Sequence, residues 1–338
     1  MDNITHSLTG WALAETGLKR RTRKGLAACV LAANMPDIDV FFGWAPWAPL
    51  AMHRGFTHGL VGGVLLMPPV LAALLWLLDR WQMKRGATFK SGLTMHFGWL
   101  VALCYLGALT HPLLDLQNTY AVQLMAPSSP RWFHTDGLFI ISPWVLGILG
   151  VGLWFSRRRR KAVGEGAASA RPAILALAGV VAFVLANIAI SSLAWKAARA
   201  GDYRAVPGGA ALMVVAREDR VFASPFPLAF WRREVFWRRE GVIRYGTFDL
   251  FADPARVTLT EVPFADNLDK PVVREAMTSS PEVEKFLAWS QLPFARVERE
   301  GCIATVKFAD ARFSSATTIS SFQAWGSVPL REPGCPQG

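Results

Sequence analysis

Long apolar runs separated by short polar segments dominate the first 195 residues of the chain. Three runs, at about 57–79, 93–114 and 172–195, are long enough to cross the ~30 Å hydrocarbon core of a bilayer as helices. A fourth run, at about 138–155, is slightly shorter but contains no charged residue. The pattern predicts a mainly α fold, with a polytopic membrane domain of about four spans over residues 1–195.

Two shorter apolar stretches, at about 5–18 and 25–35, precede these runs. As helices of about 11–14 residues they would reach only ~16–21 Å, which is too short to span a bilayer. We expect them to form a helical hairpin that is either half inserted or packed among the longer helices.

Residues 200–338 show a different pattern, in which short β-type runs are separated by Gly, Pro and Asp. A serine cap followed by apolar positions at helical spacing predicts one helix at 280–292. The strand-like runs are 211–216, 240–251, 256–262 and 302–313. This half therefore predicts a small α+β domain, and residues 163–171 predict a linker between two spans.

Composition and charge support a membrane protein. Hydrophobic residues make up 52% of the chain, and the mean hydropathy is +0.27. The net charge is +11, and residues 1–195 carry 17 Lys and Arg against 8 Asp and Glu. Because these basic residues alternate with membrane-length runs, they indicate membrane topology rather than nucleic-acid binding.

The basic residues of this half form three clusters, which share one membrane face if each apolar segment crosses once. The positive-inside rule makes that face cytoplasmic. The clusters are 19–24, 80–90 and 157–161. Residues 36–56 and 115–137 are then on the outer face of the inner membrane, and residues 200–338 are extracytoplasmic, or periplasmic in a Gram-negative cell.

The termini and cysteines add two expectations. The N-terminus has no basic region before its first apolar stretch, so no cleavable signal peptide is expected. Cys29 and Cys104 lie in apolar segments and are expected to be core thiols. Cys302 and Cys335 could pair if their compartment is oxidising, and the sequence leaves this open.

Histidines and aspartates collect at the outer ends of the apolar runs, opposite the basic clusters. His111 and Asp115 are the sharpest pair, because positions i and i+4 share one helix face about 6 Å apart. Ionisable residues at the end of a span indicate function by default. The others are His6, Asp37, Asp39, His53 and His58. Each alone is compatible with interface polarity or a turn, but their convergence from four segments favours one site.

Imidazoles and carboxylates together are ligands for Zn²⁺, Mn²⁺ or Fe, and this set is large enough for one or two ions. Two-metal sites suit phosphoester hydrolysis because they stabilise both the attacking and the leaving oxygen. The sequence contains no nucleophile-elbow, phosphate-loop or dinucleotide motif.

Four motifs, in order among the apolar runs, resemble those of the LexA-regulated, membrane-bound, metal-dependent hydrolases (the YdjM-like family). They are DNITHSLTG (2–10), PDID (36–39), HRGFTH (53–58) and HPLLD (111–115). The resemblance covers residues 1–195, including 123–144, and is looser at 225–235 and 308–313. The family is similar in turn to zinc phospholipase C and the fungal zinc nucleases. That similarity implies metal ligands at His6, Asp37 or Asp39, His58 or His53, His111 and Asp115.

These observations predict a metal-dependent hydrolase, phosphoesterase or phospholipase-like, with a divalent ion (Zn²⁺ before Mn²⁺ or Fe). The substrate is expected to be a membrane lipid or lipid-linked phosphoester, cleaved by a metal-activated water at the outer face. Asp39 or His53 would act as general base or orient a ligand, and the Arg54 fork would hold an anionic group. His134 is a further candidate on this side. The alternative is a non-enzymatic protein that binds or carries a metal ion or a lipid.

Overall fold

The structure is a computed structural model that describes residues 1–42, 53–200, 220–315, 322–330 and 335. The chain divides into two compact units. The first comprises Met1–Ala189 with Pro225–Phe230, and the second comprises Ile190–Ser224 with Trp231–Gly338.

The first unit is mainly helical. Its helices are α1 (Asn3–Glu15), α2 (Gly25–Asn34), α3 (Met67–Lys84), α4 (Phe97–Asp115), α5 (Pro143–Val163) and α6 (Ala167–Ala200), whose last turns belong to the second unit. Short 3₁₀ segments at Leu18–Arg21, Met35–Phe42 and Phe56–His58 connect them, and a π-helix at Leu60–Leu66 precedes α3. Polar caps begin two of the helices: Asp2 accepts from the backbone of α1, and Ser142 accepts from that of α5.

Three helical segments among the described residues are long and apolar enough to cross a membrane: Leu60–Lys84, Phe97–Asp115 and Ala167–Ala200. They contain most of the three long runs that the sequence predicts as spans. Residues 143–155 of the fourth predicted run lie in α5, whose last turns carry the basic residues 157–161. Because α5 is not among these three segments, the fourth span stays a prediction.

The short helices α1 and α2 pack among the longer ones. A Cβ added to Gly10 of α1 would lie 2.6 Å from the Cys29 carbonyl oxygen of α2, and one added to Gly107 of α4 would lie 2.5 Å from the same atom. Glycine therefore permits α2 to approach both neighbours closely. Ala28, Cys29 and Cys104 are fully buried in the resulting core.

Ion pairs bring the three basic clusters together at one end of the first unit. Glu15, the last residue of α1, accepts from Lys19 at 2.7 Å and from Arg160 at 2.7 Å. Arg23 binds Asp79 of α3 at 2.7 Å. Glu15 therefore joins cluster 157–161 to cluster 19–24, and Asp79, next to cluster 80–90, joins α3 to cluster 19–24. We call this the basic end.

Helix α4 leads from the basic end to the opposite end of the unit. Its N-cap residue, His96, donates its backbone N–H to the Thr22 hydroxyl at 2.9 Å. Its last turn carries His111 and Asp115. A helix of 19 residues is about 28 Å long, close to the thickness of the hydrocarbon core. The predicted site residues of α4 thus lie roughly one membrane thickness from the basic end.

The prediction of a linker at 163–171 was wrong for residues 167–171, because α6 begins at Ala167. The hydroxyl of Ser169 accepts from the backbone N–H of Gly166 at 3.0 Å, and the alanine-rich sequence that follows has high helix propensity. Only residues 164–166 separate α5 from α6.

The second unit is sheet-rich, as predicted. One sheet has the order β1 (Arg220–Pro225), β2 (Arg232–Arg239), β3 (Val242–Asp249) and β4 (Asp253–Leu259), and β5 (Phe264–Ala265) pairs with β3. A second sheet has the order β6 (Pro293–Glu300), β7 (Ile303–Asp310) and β8 (Gln323–Pro329). Two short helices, α7 (Pro271–Ala276) and α8 (Pro281–Trp289), lie between β5 and β6 in the chain.

Three of the predicted strand runs correspond to β3, β4 and β7, and the helix predicted at 280–292 is α8. The run at 211–216 lies outside the described residues. The sequence missed β1, β2, β5, β6 and β8, and it missed the short helix α7. Cys302 and Cys335 form a disulfide with a Cα–Cα distance of 5.4 Å, which resolves the pairing that the sequence left open.

Candidate metal centre

Four side chains from three elements converge at the end of α4. Asp37 comes from the 3₁₀ segment after α2, His58 from the short turn before the π-helix, and His111 and Asp115 from α4. Each offers one ligand atom, and these atoms all lie within 4.8 Å of one another. We call these four residues the central group.

Imidazole nitrogens and carboxylate oxygens face each other within the central group. The Nε2 atom of His58 is 3.1 Å from Asp37 Oδ1 and 3.5 Å from Asp115 Oδ2. The Nε2 atom of His111 is 3.6 Å from Asp37 Oδ1 and 3.4 Å from Asp115 Oδ2. Two nitrogens therefore share the same two carboxylates.

A backbone contact sets the orientation of His111. Its Nδ1 atom is 2.7 Å from the carbonyl oxygen of Ala33, in the last turn of α2. Because a carbonyl oxygen can only accept, Nδ1 carries the hydrogen. In the neutral ring, the Nε2 lone pair then faces the carboxylates of Asp37 and Asp115. A hydrogen bond to a carbonyl oxygen from the second ring nitrogen is the usual way in which proteins orient a metal-binding histidine.

His6 lies against the central group. Its Nε2 atom is 3.3 Å from Asp115 Oδ1, and its ring stacks on that of His111 with centroids 3.9 Å apart. Burial lowers the pKa of His6 to about 4, so its imidazole is neutral at pH 7. The backbone amine of Met1 also contacts Asp115. His6 thus adjoins the four ligand atoms without being one of the central group.

A second group shares His58 with the first and consists of Asp39, His53 and His58. Asp39 Oδ1 is 3.1 Å from His53 Nδ1, and Asp39 Oδ2 accepts from the Thr57 hydroxyl at 2.8 Å. His58 Nδ1 is 3.4 Å from Asp39 Oδ2. Burial alone would raise the pKa of Asp39, but its hydrogen bonds with His53 and His58 outweigh burial and lower that pKa. Asp39 is therefore an ionised acceptor.

Arg54 is buried beside the central group in a strained backbone conformation. Its φ angle is +64°, in the left-handed region that costs a non-glycine residue about 1 kcal/mol or more. Its Nε atom lies 3.5 Å from Asp115 Oδ2, and its guanidinium lies 4.8 Å from the ring centre of Tyr120. Among the described residues, Nε and Nη1 have no hydrogen-bond acceptor. The buried guanidinium of Arg54 therefore has N–H donors without an acceptor next to the carboxylates.

The chain beyond His58 requires glycine. A Cβ on Gly62 would clash with the carbonyl oxygen of Phe56, and one on Gly63 would clash with that of Thr57. Both glycines belong to the π-helix Leu60–Leu66. Such wide helical turns are frequent at functional sites. Here the π-helix packs directly on the turn that carries His58.

Besides His6, two histidines belong to neither group. His134 pairs with Asp136 at 2.8 Å, and His96 lies near Thr94, with Nε2 2.7 Å from its hydroxyl. Three contacts of the site were missed from the sequence: the carbonyl of Ala33, the hydroxyl of Thr57 and the ring of Tyr120. Thr57 lies inside the motif HRGFTH, so its position between Arg54 and His58 was the one available signal.

The central group fits a divalent metal ion. Its donors, two imidazoles and two carboxylates, are those that bind Zn²⁺, Mn²⁺ or Fe. Within the described part of the chain, three buried atoms of the group make no hydrogen bond: Asp37 Oδ2, His111 Nε2 and Asp115 Oδ2. Buried polar atoms are rarely left in this state, because each costs about 1–3 kcal/mol. A cation held by the central group would satisfy His111 Nε2 and Asp115 Oδ2, which lie 3.4 Å apart.

Fold and site together define a helical membrane protein with a buried histidine–aspartate centre at one end of its helices. A family model described as YdjM inner membrane protein matches residues 1–195, more than half of the chain, and the chain belongs to this family. No curated protein and no solved structure matches it. The family match confirms the resemblance seen in the motifs. An inner membrane family also agrees with the three apolar helical segments.

Proposed function

We propose that this protein is a metal-dependent hydrolase that cleaves a lipid-like phosphoester at the outer face of the inner membrane. The observation that carries the proposal is the central group, in which four ligand atoms from Asp37, His58, His111 and Asp115 lie within 4.8 Å of one another. The family resemblance supports the same class of reaction.

In this proposal the central group holds a divalent ion, with Zn²⁺ as first choice and Mn²⁺ or Fe as alternatives. When bound, the ion supplies Lewis acidity that activates a water and stabilises negative charge on the phosphoester oxygens. His6 supports the site by contacting Asp115 and His111 from the side. The second group offers ligands for another ion, so the capacity is one or two ions.

His53 is the best placed proton acceptor. Its side chain is 27% exposed, whereas those of Asp37 and Asp39 are 12% and 13% exposed and that of His58 is fully buried. A general base must return its proton to solvent, which favours the most exposed histidine. Because ionised Asp39 accepts from Nδ1 of His53, the Nε2 atom of His53 is left to take a proton.

Arg54 is suited to bind the anionic part of the substrate. Its fork geometry matches two phosphate oxygens, and its Nε and Nη1 atoms have no hydrogen-bond acceptor within the described part of the chain. Its contact with Asp115 holds the guanidinium against the central group. A phosphoester bound there would lie next to the central group.

Two features favour a membrane substrate. Apolar side chains adjacent in sequence to the site residues are exposed, including Ile4 (65%), Phe41 (76%) and Phe56 (41%), as expected at a membrane surface. The basic end lies at the other end of α4, so the positive-inside rule favours an outer-face location for the centre. The disulfide Cys302–Cys335 supports an extracytoplasmic, oxidising location for the C-terminal domain.

The second candidate function is a non-enzymatic protein that binds or carries a metal ion or a lipid. Transporters usually place their ionisable residues near the middle of the bilayer, in broken helices. Here His111 and Asp115 lie in the last turn of α4. This position favours the hydrolase.

Metal analysis of the full-length protein purified in mild detergent tests the proposal. We expect one or two transition-metal ions per chain, lost in His111→Ala and Asp115→Ala and retained in His96→Ala. His96 is a matched control because it belongs to neither group of ligands. A wild-type protein without bound transition metal would overturn the proposal.

Turnover separates the two candidate functions. We expect the purified protein to hydrolyse a phospholipid or a chromogenic phosphodiester, and a chelator to abolish this activity. Bound metal that is lost in His111→Ala, without hydrolysis of either substrate, would favour the binding or carrier function.

A further inference from the structure

A groove of about 1050 Å³ lies along α5 and α6, outside the candidate metal centre. Its walls are largely apolar and are lined by residues that include Trp144, Val151, Phe155 and Leu175. Its volume is slightly above the ~300–1,000 Å³ typical of small-ligand sites.

The groove exists because small residues line α5. A Cβ on Gly152 would clash with the Cβ of Ala176, so the two helices touch at this point and form the floor. A Cβ on Gly147 would meet no atom within 4 Å, so the space above Gly147 is open. A flexible apolar chain could therefore occupy it.

Two arginines, Arg159 and Arg171, line the groove near the turn between α5 and α6. Both side chains are exposed, and neither forms an ion pair with any described residue. Arg159 makes one long contact, from Nη1 to the Ala168 carbonyl oxygen at 3.5 Å. The neighbouring Arg160, by contrast, binds Glu15 at 2.7 Å. The groove thus carries uncompensated positive charge at the basic end.

We propose that this groove is a binding site for an anionic phospholipid of the cytoplasmic leaflet. The phosphate group binds Arg159 and Arg171, and an acyl chain lies along α5 over Gly147 and Gly152. Basic pockets between membrane helices on the cytoplasmic side recognise anionic head groups by the same combination of charge and apolar surface. A second copy of the chain is disfavoured as the occupant, because it would bring its own basic residues to an already positive site.

This site is independent of the proposed hydrolase. The groove shares no residue with the central group or the second group of ligands. Its variants should therefore keep the metal content of the wild type, and an unchanged unfolding temperature in detergent shows that they are folded.

Native mass spectrometry of the full-length protein in detergent tests the site, with phosphatidylglycerol and phosphatidylcholine of the same chain length added in equal amounts. We expect phosphatidylglycerol to be retained at least fivefold more than phosphatidylcholine. The double variant Arg159→Ala, Arg171→Ala should lose this preference. Arg157→Ala is the matched control, since Arg157 is exposed on α5 but does not line the groove.

A second pair of variants tests the apolar part. Gly147→Leu fills the groove, whereas Gly150→Leu adds the same side chain at a position that is equally open but outside the groove. We expect only Gly147→Leu to lower lipid retention. Equal retention of the two lipids by the wild type, or a preference that survives the double arginine variant, overturns the proposal. A dimer that Gly147→Leu dissociates without changing lipid retention would also overturn it.

Discussion

The Nδ1–H group of His111 donates to the carbonyl oxygen of Ala33 across 2.7 Å, joining α4 to the last turn of α2. The last carbonyl groups of a helix have no partner within that helix, so one bond satisfies an acceptor of α2 and orients a side chain of α4. The other ring nitrogen is thereby directed at Asp37 and Asp115. The hydrogen bond to Ala33 therefore orients His111 Nε2 towards two carboxylates.

The first prediction separates these two roles of His111. In His111→Asn the amide can still donate to Ala33, but it is too short to replace Nε2. We expect this variant to unfold at nearly the wild-type temperature while its metal affinity falls at least 10–100-fold, the range seen when a metal site loses its support. Elemental analysis and thermal unfolding in detergent measure the two effects. A variant that retains full metal content would show that His111 is not a ligand.

The second prediction distinguishes His58 from His53. We expect His58→Ala to lose the metal, because His58 is fully buried and shared by both groups. We expect His53→Ala to retain at least one ion but to lower the rate of hydrolysis by about 10²–10⁴-fold, as for removal of a general base. If both variants lose all metal to the same extent, His53 is a ligand and not the base.

The sequence could group the candidate residues, which the structure brings close together, because they lie in distinctive positions along the chain. The spacing of His111 and Asp115 alone puts them on one helix face. The other candidate histidines and aspartates lie at the ends of apolar runs. The positions of the basic clusters along the chain then predict that all these residues lie on one side of the membrane. These inferences need only helix periodicity and the membrane as a boundary, and both can be read from the sequence.

Other features depend on contacts that a sequence does not display. The strand β2 (RREVFWRR) was missed because arginines flank its apolar centre, yet Arg233 is fully buried and donates to the Ser191 hydroxyl at 2.9 Å. Helix α5 continues beyond its apolar run because arginine and lysine are good helix formers. The π-helix and the left-handed conformation of Arg54 likewise arise from packing around the site.

The third prediction concerns the π-helix that follows His58. Gly62→Ala and Gly63→Ala each place a methyl group against a backbone carbonyl of the turn that carries His58. We expect each to destabilise the protein by about 1–3 kcal/mol, the usual cost of overpacking, and to lower metal content. Gly98→Ala is the control, because a Cβ there meets no atom within 4 Å. Wild-type metal content in both π-helix variants would show that this turn tolerates displacement.

The fourth prediction tests the compartment of the C-terminal region. Cys302 and Cys335 form a disulfide, whereas Cys29 and Cys104 are free and buried. If the region is extracytoplasmic, protein denatured directly from cells should incorporate two alkylating groups per chain without reductant and four after reduction. Mass spectrometry of the intact chain counts them. Four groups without reductant would contradict an oxidising location.

The fifth prediction concerns a buried ion pair in the second unit. Arg312 donates to both carboxylate oxygens of Asp310, from Nε at 2.9 Å and from Nη2 at 2.8 Å. The Ser290 hydroxyl donates at 2.6 Å and the Gln291 backbone at 2.8 Å. Burial alone would raise the pKa of Asp310, but the Arg312 charge and these hydrogen bonds lower it to about 2.

Because this pKa is depressed in the folded state, the stabilisation is complete above the unfolded pKa of about 4 and is lost as the pH falls towards 2. A difference of roughly two between the unfolded and folded pKa of Asp310 corresponds to about 2–3 kcal/mol in the free energy of unfolding. At pH 7, Asp310→Asn should cost about 3–5 kcal/mol, because it leaves the Arg312 charge buried without its partner.

Hydrogen exchange of the full-length protein in detergent measures the effect in peptides that cover β6 and β7. We expect Asp310→Asn to raise exchange there at pH 7 and to remove most of the wild-type loss of protection between pH 4 and pH 2. Glu298→Gln is the control, because Glu298 pairs with Lys307 at 2.7 Å on the surface, where such a pair contributes only about 0–1 kcal/mol. Equal exchange in the two variants would mean that the Asp310–Arg312 pair contributes no more than a surface pair.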